Sequence, residues 1–153
     1  METILVAVDL SEATHEVIKI GGELAKSLGA NVVLLYVVQP VNSSVPIGSA
    51  MDIVALPVPF SKEELEELAS QLEKAAAPLK ASGIEVETVL KEALPVEEIN
   101  RQVAAHHVDI IVVGSHGHGA LYHLFNGSVV NALLKEAIKP ILVVPVKAAS
   151  QSS

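Results

Sequence analysis

The stretch Ile110-Ile111-Val112-Val113-Gly114-Ser115-His116-Gly117-His118-Gly119-Ala120-Leu121-Tyr122-His123-Leu124-Phe125-Asn126-Gly127-Ser128-Val129 decides how the chain is read. Its first four residues make a short apolar run of the kind that forms a buried strand. Four glycines follow, with Gly117 and Gly119 only two residues apart. Gly127-Ser128 then opens a helix expected over residues 129–138. Glycine permits positive φ and leaves no Cβ between a ligand and the main-chain N–H groups. A strand, a glycine-rich loop and a helix N-terminus together present free N–H groups and a positive dipole end to an anion. The expectation is a nucleotide phosphate site, with a surface loop whose glycines only make turns as the alternative.

Outward from this stretch, apolar runs alternate with helical patterns. Residues 3–8 are apolar and rich in β-branched side chains, and read as a first, central strand. Asp9 or Ser11 is placed to cap a helix over 12–28, whose Val17, Ile18, Ile20, Leu24, Ala25 and Leu28 form one stripe. Gly21-Gly22 in its middle costs about 1 kcal/mol per residue against alanine, which implies close packing against a neighbour. Residues 31–38 form a second continuous apolar strand. Residues 39–60 break the rhythm, with four prolines, no basic residue and many apolar side chains. A long, variable loop packed on the domain or on a partner is expected there, either a flap near a ligand or a hydrophobic crossover.

Ser61-Lys62-Glu63-Glu64 is a capping box for the next helix, which Pro78 should kink and Gly83 should end. Residues 84–90 alternate in polarity, as a half-exposed edge strand does. Pro95 opens a helix running to about residue 107, residues 109–113 are the fourth strand, and residues 141–146 are the fifth. Residues 148–153 read as a frayed tail beyond a single domain of residues 1–147.

Strands alternating with helices imply parallel βαβ units with right-handed crossovers. The expected fold class is therefore α/β, a three-layer sandwich with helices on both faces of a five-stranded parallel sheet of order 3-2-1-4-5. In such a sheet the winding reverses between strands one and four, and ligands bind outside the carboxyl ends at that point. Asp9 ends strand one and Gly114 ends strand four, so both face one crevice.

Composition bounds the function. The 153 residues are 50% hydrophobic and only 3% aromatic, which suits a Val, Ile, Leu and Ala core in a covered parallel sheet. A formal charge of −8 argues against a nucleic-acid backbone or an anionic membrane as partner. With no cysteine, the chain has no disulfide, thiolate zinc site or cysteine nucleophile. The opening Met-Glu-Thr-Ile-Leu-Val lacks a basic n-region, and no apolar run approaches about 20 residues, so a cytoplasmic location is expected.

The loop lacks G-x-x-x-x-G-K-[ST], the turn after strand one lacks G-x-G-x-x-G, and residues 109–134 contain no Lys or Arg. Phosphates would be held by main-chain N–H groups, by the Ser115 and Ser128 hydroxyls and by the helix dipole. With no lysine present, a divalent cation, Mg2+ or Mn2+, would offset the charge, with Asp9 the nearest acidic group. Asp9 could instead accept hydrogen bonds from a ribose or base. His116, His118 and His123 form a competing transition-metal candidate, because an H-x-H pair can ligate such an ion. No nucleophile paired with a base stands out, so no catalytic residue is assigned and any ATP hydrolysis would be slow or incidental.

These residues resemble a known family. Gly114, Gly117, Gly127 and Ser128 fall in the spacing G-x2-G-x9-G-[S/T], similar to the signature of nucleotide-binding universal stress proteins. The opening I-L-V-A-V-D-L-S (from Ile4), the strand V-V-L-L-Y-V-V and the closing P-I-L-V-V-P-V also resemble that family, over essentially the whole chain except residues 39–60. The resemblance implies a fold similar to adenine-nucleotide α-hydrolases, an ATP, ADP or AMP ligand and a role in stress response. By position, Ala7 and Asp9 match nucleoside contacts, and Val37 matches a residue whose main chain meets adenine. Val113, Gly114 and Gly117 match the start of the phosphate loop, and Gly127, Ser128 and Val129 match its end. Ala7 stands where some ATP-binding members carry proline. The resemblance further implies a homodimer pairing the last strands, here from Ile141 to Val146. A nucleotide-independent dimeric interaction module and a slow, metal-dependent hydrolase are the alternative functions.

Overall fold

Strands β1 (Thr3–Val8) and β2 (Asn31–Val38) are apolar on both faces, and both faces are covered. Side chains alternate across a strand. Ile4, Val6, Leu34 and Tyr36 therefore enter one core layer, while Leu5, Ala7, Leu35 and Val37 enter the other. Burying one such aliphatic side chain stabilises the fold by about 1.5–3 kcal/mol, so these two strands anchor the domain. The computed structural model describes residues 2–47, 52–115 and 127–145, with backbone alone for 41–47, 52–55 and 127–129. The expected tail at 148–153 and the loop with Gly117 and the three histidines lie outside the described residues.

After β2 the chain forms β3 (Val41–Ile47) and β4 (Asp52–Val58), then β5 (Val86–Glu92), β6 (Ile110–Gly114) and β7 (Ile141–Val144). The main sheet is wholly parallel, in the order β5-β2-β1-β6-β7. Counting only the strands of this sheet, that is the expected order 3-2-1-4-5; the two additional strands change the labels and not the winding. Helices α1 (Thr14–Leu28) and α2 (Lys62–Ala81) supply Val17, Ile18, Ala25, Leu72, Ala76 and Leu79 to one core layer. Helices α3 (Pro95–Ala105) and α4 (Gly127–Glu136) supply Ile99, Val103 and Leu133 to the other.

The glycine pair of α1 sits at two close approaches. A Cβ on Gly21 would lie 2.7 Å from Val6 Cγ2, and one on Gly22 would lie 2.5 Å from Leu79 Cδ2. Ser61 and Glu64 form the expected capping box at α2: the Glu64 N–H donates to Ser61 Oγ at 3.1 Å and the Ser61 N–H donates to Glu64 Oε1 at 3.2 Å. The helix continues past Pro78 to Ala81, and Gly83 follows at φ 89°.

Four expectations need correction. Within the stretch expected to be a long loop, residues 41–47 and 52–58 pair as an antiparallel hairpin, with Val41 opposite Val58 and Ile47 opposite Asp52. Both strands of a two-stranded sheet are edges, where a proline's missing N–H is tolerated, so Pro46 and Pro57 do not break the pairing. Helix α1 starts at Thr14 with Ala13 as its N-cap and no side-chain cap, because the Asp9 carboxylate serves the preceding turn instead. The edge strand runs over Val86–Glu92 rather than 84–90: the Ile84 N–H donates to Leu79 O to close α2, and β5 then follows β2 as far as Val38 opposite Glu92. The last strand ends at Val144, ahead of Pro145, which has no N–H to donate to a ladder.

Candidate functional site

The ladder between β1 and β6 stops at Val6 opposite Val112, yet each strand continues along its other neighbour. Strand β1 stays paired with β2 to Val8 opposite Tyr36, and β6 stays paired with β7 to Gly114 opposite Val144. The two central strands therefore part at their carboxyl ends. That is the switch point where open α/β sheets bind ligands. A small cavity of about 10 Å³ opens there, lined by Ala7, Asp9, Thr14 and Gly114 among others, and it has space for about one water-sized group.

Asp9 is the chemically distinctive group of this crevice, at 7% exposure. Its Oδ1 accepts the Ser11 N–H at 3.0 Å, the Ser11 hydroxyl at 2.5 Å and the Thr14 hydroxyl at 3.2 Å. Its Oδ2 is buried and has no hydrogen-bond partner among the described residues. A buried acceptor without a donor costs about 1–3 kcal/mol, more when charged, so such an atom signals a missing partner. The local turn drives Leu10 to φ 56°, a left-handed conformation rare for leucine. Tyr36, opposite Val8, has its phenol pushed up to about 12, first by burial and then by the charge of Asp9.

The structure brings Ala7, Asp9 and Gly114 to one cavity. Ala7, Val37 and Val113 are buried together in the layer facing α3 and α4. With their side chains occupied in the core, these three have main chain to offer a ligand. Val37 lies one residue beyond the last β1 partner of β2, while still paired with Lys91 of β5. Gly127, Ser128 and Val129 form the first turn of α4, where helical N–H groups lack intrahelical acceptors. The other end of α4 is tied down, since Asn100 Nδ2 donates to Glu136 O at 3.1 Å. Thr14 escaped the sequence reading. Its signal was a small hydroxyl five residues after an acidic strand end, at the start of an apolar stripe.

The crevice offers an acidic oxygen that has no partner among the described residues and could accept from a hydroxyl or amine of a ligand, with main-chain groups around it. Asp9 is the one carboxylate lining the cavity among the described residues, so a divalent cation there would be held chiefly by phosphate and water. No group of three or more His, Cys, Asp or Glu side chains is assembled among the described residues.

The profile of the Universal stress protein family matches residues 1–145. The chain belongs to this family. Universal stress protein A homolog 1 of Coxiella burnetii is 32% identical over 151 residues, covering 94% of this chain and 96% of that one. Universal stress protein MJ0577 of Methanocaldococcus jannaschii is 35% identical over 79 residues, 52% of this chain, and the match spans about half of that relative, 49%. The solved structure of MJ0577 superposes over 97% of this chain and 98% of that chain, at 24% identity and a TM-score of 0.69. A universal stress protein from Archaeoglobus fulgidus, solved in complex with dAMP, superposes over 94% of this chain and 97% of that one, at 21% identity and a TM-score of 0.65. At these identities the superpositions carry the universal stress protein fold.

Proposed function

We propose that this universal stress protein binds an adenine nucleotide (ATP, ADP or AMP) in the crevice between β1 and β6, and acts as a cytoplasmic stress-response regulator. The observation that carries the reading is the buried Asp9 Oδ2, which has no partner among the described residues where the two strands part. The dAMP complex of a fold relative supports the ligand class. In this reading Ala7, Asp9 and Val37 meet the nucleoside, Val37 through its main chain. Val113, Gly114 and Gly117 begin the phosphate loop, and Gly127, Ser128 and Val129 close it with first-turn N–H groups. Mg2+ or Mn2+ accompanies the phosphates. Residues 109–134 carry no Lys or Arg to stabilise a transferring phosphoryl group, so holding the nucleotide rather than hydrolysing it is the activity proposed.

A homodimer through β7 belongs to the same proposal. β7 is an edge of the described sheet with Leu142 38% exposed on it, and Leu134 of α4 and Ile138, which precedes β7 in the chain, are exposed at 55% and 61%. An open apolar edge of this kind calls for cover.

Mass spectrometry of the freshly purified, denatured protein tests the ligand. A co-purified adenine nucleotide is expected, lost in Gly117→Val and Gly127→Val variants that keep the wild-type thermal transition. Wild-type nucleotide content in both variants would refute the loop assignment.

A further inference from the structure

Helices α1 and α2 touch where Leu79 covers Gly22. Toward the start of α1 the seam between them opens into a groove of about 620 Å³. This volume lies within the range of small-molecule sites, about 300–1,000 Å³. Leu10, Ile18, Ala75, Pro78 and Leu79 give the groove an apolar lining, and His15, Lys19 and Lys74 stand on it as exposed side chains. Every titratable group of the lining is therefore basic, in a chain with 18 acidic residues against 10 Lys and Arg. The local charge runs opposite to that of the whole molecule.

Leu10, at one end of the groove, takes the left-handed backbone that the Asp9 turn imposes. The groove adjoins the nucleotide crevice and shares Thr14 with it, but Leu10, Ile18, Lys19, Lys74 and Pro78 line the groove alone. An apolar trough with a cationic rim matches a molecule with a hydrocarbon tail and one anionic head. The rim carries lysine point charges, and a carboxylate is the simplest anionic head that such a rim can pair with.

We propose that this groove binds an aliphatic carboxylate, one molecule per chain, with its tail along Leu10, Ile18, Ala75 and Leu79 and its head toward Lys19 and Lys74. Calorimetric titration of the full chain with decanoate, below its micellar concentration, tests this. Saturable one-to-one binding is expected, with amide NMR shifts concentrated at Leu10, Ile18, Ala75 and Leu79. The double variant Lys19→Glu/Lys74→Glu changes only exposed side chains. It should bind decanoate at least about tenfold more weakly and decylamine at least about tenfold more tightly than wild type. Absence of saturable binding, equal decanoate binding by wild type and the double variant, or shifts centred on β7 would each overturn the proposal. Titration of the same preparations with dAMP reads the nucleotide crevice separately.

Discussion

Asp9 commits one carboxylate oxygen to the turn before α1, and its other oxygen is buried without a donor among the described residues. That division predicts opposite effects on stability and binding. Asp9→Asn keeps the shape and an Oδ1 acceptor while removing a buried charge, so the thermal midpoint should stay level or rise while nucleotide affinity falls. The charge of Asp9 is also felt at Tyr36. A phenol raised from 10.0 to about 12 gives stability that is fully present below pH 10 and lost as pH rises through about 12. Ultraviolet titration should show this late transition, and Tyr36→Phe should abolish it. Asp9→Asn should move it part of the way back toward 10.0. At Gly21 two effects compete. Alanine gains about 1 kcal/mol of helix propensity, but its Cβ would meet Val6 Cγ2 at 2.7 Å. Val6 is stiff at χ1 and fully buried in a central strand, so overpacking of about 1–3 kcal/mol wins. Denaturant melts should show Gly21→Ala net destabilised, and Gly22→Ala less so, because the Leu79 methyl it meets ends a longer side chain.

At the scale of elements, β1 and β6 are pinned below the crevice by Asp109, whose Oδ2 accepts the Glu2 N–H at 2.8 Å and the Thr3 N–H at 3.3 Å. These two bonds lower its carboxyl pKa from the ordinary 3.8. A depressed carboxyl gives stability that is present above its unfolded value and lost as pH falls through the folded one. The stability gap between wild type and Asp109→Asn should therefore be widest near neutrality and close as pH drops below about 3.8. The sheet was legible because β1, β2 and β6 are continuous apolar runs separated by helical stripes, and alternation of that kind permits few topologies. The hairpin was not legible. The four prolines of residues 39–60, two of them inside the strands, argue against strands, and nothing in sequence alone shows that β3 and β4 pair with each other, where such residues are tolerated. The start of α1 was misjudged for a related reason. Asp9 and Ser11 have capping chemistry, and which N–H groups they take is settled by how the chain leaves β1.

For the whole molecule, the crevice position was readable as soon as the strand order was, because Asp9 and Gly114 end the two strands that part. The roles of Thr14 and Leu10 were not, since both depend on the turn that Asp9 organises. The exposed apolar edge at β7 gives the molecule a second property to test. Leu142→Lys should shift the chain toward monomer in sedimentation, with the fold retained because Leu142 is 38% exposed. A dimer unaffected by that change would place the interface elsewhere. The most direct test is calorimetric titration of dAMP and Mg-ATP into wild type and Asp9→Asn side by side. A hydrogen bond to a charged group contributes about 1.5–3 kcal/mol. Wild type should therefore bind one nucleotide per chain, and Asp9→Asn should bind it about 10–100-fold more weakly with an unimpaired thermal transition. Nucleotide binding that is absent from wild type, or equal in both proteins, would contradict the assignment of this crevice.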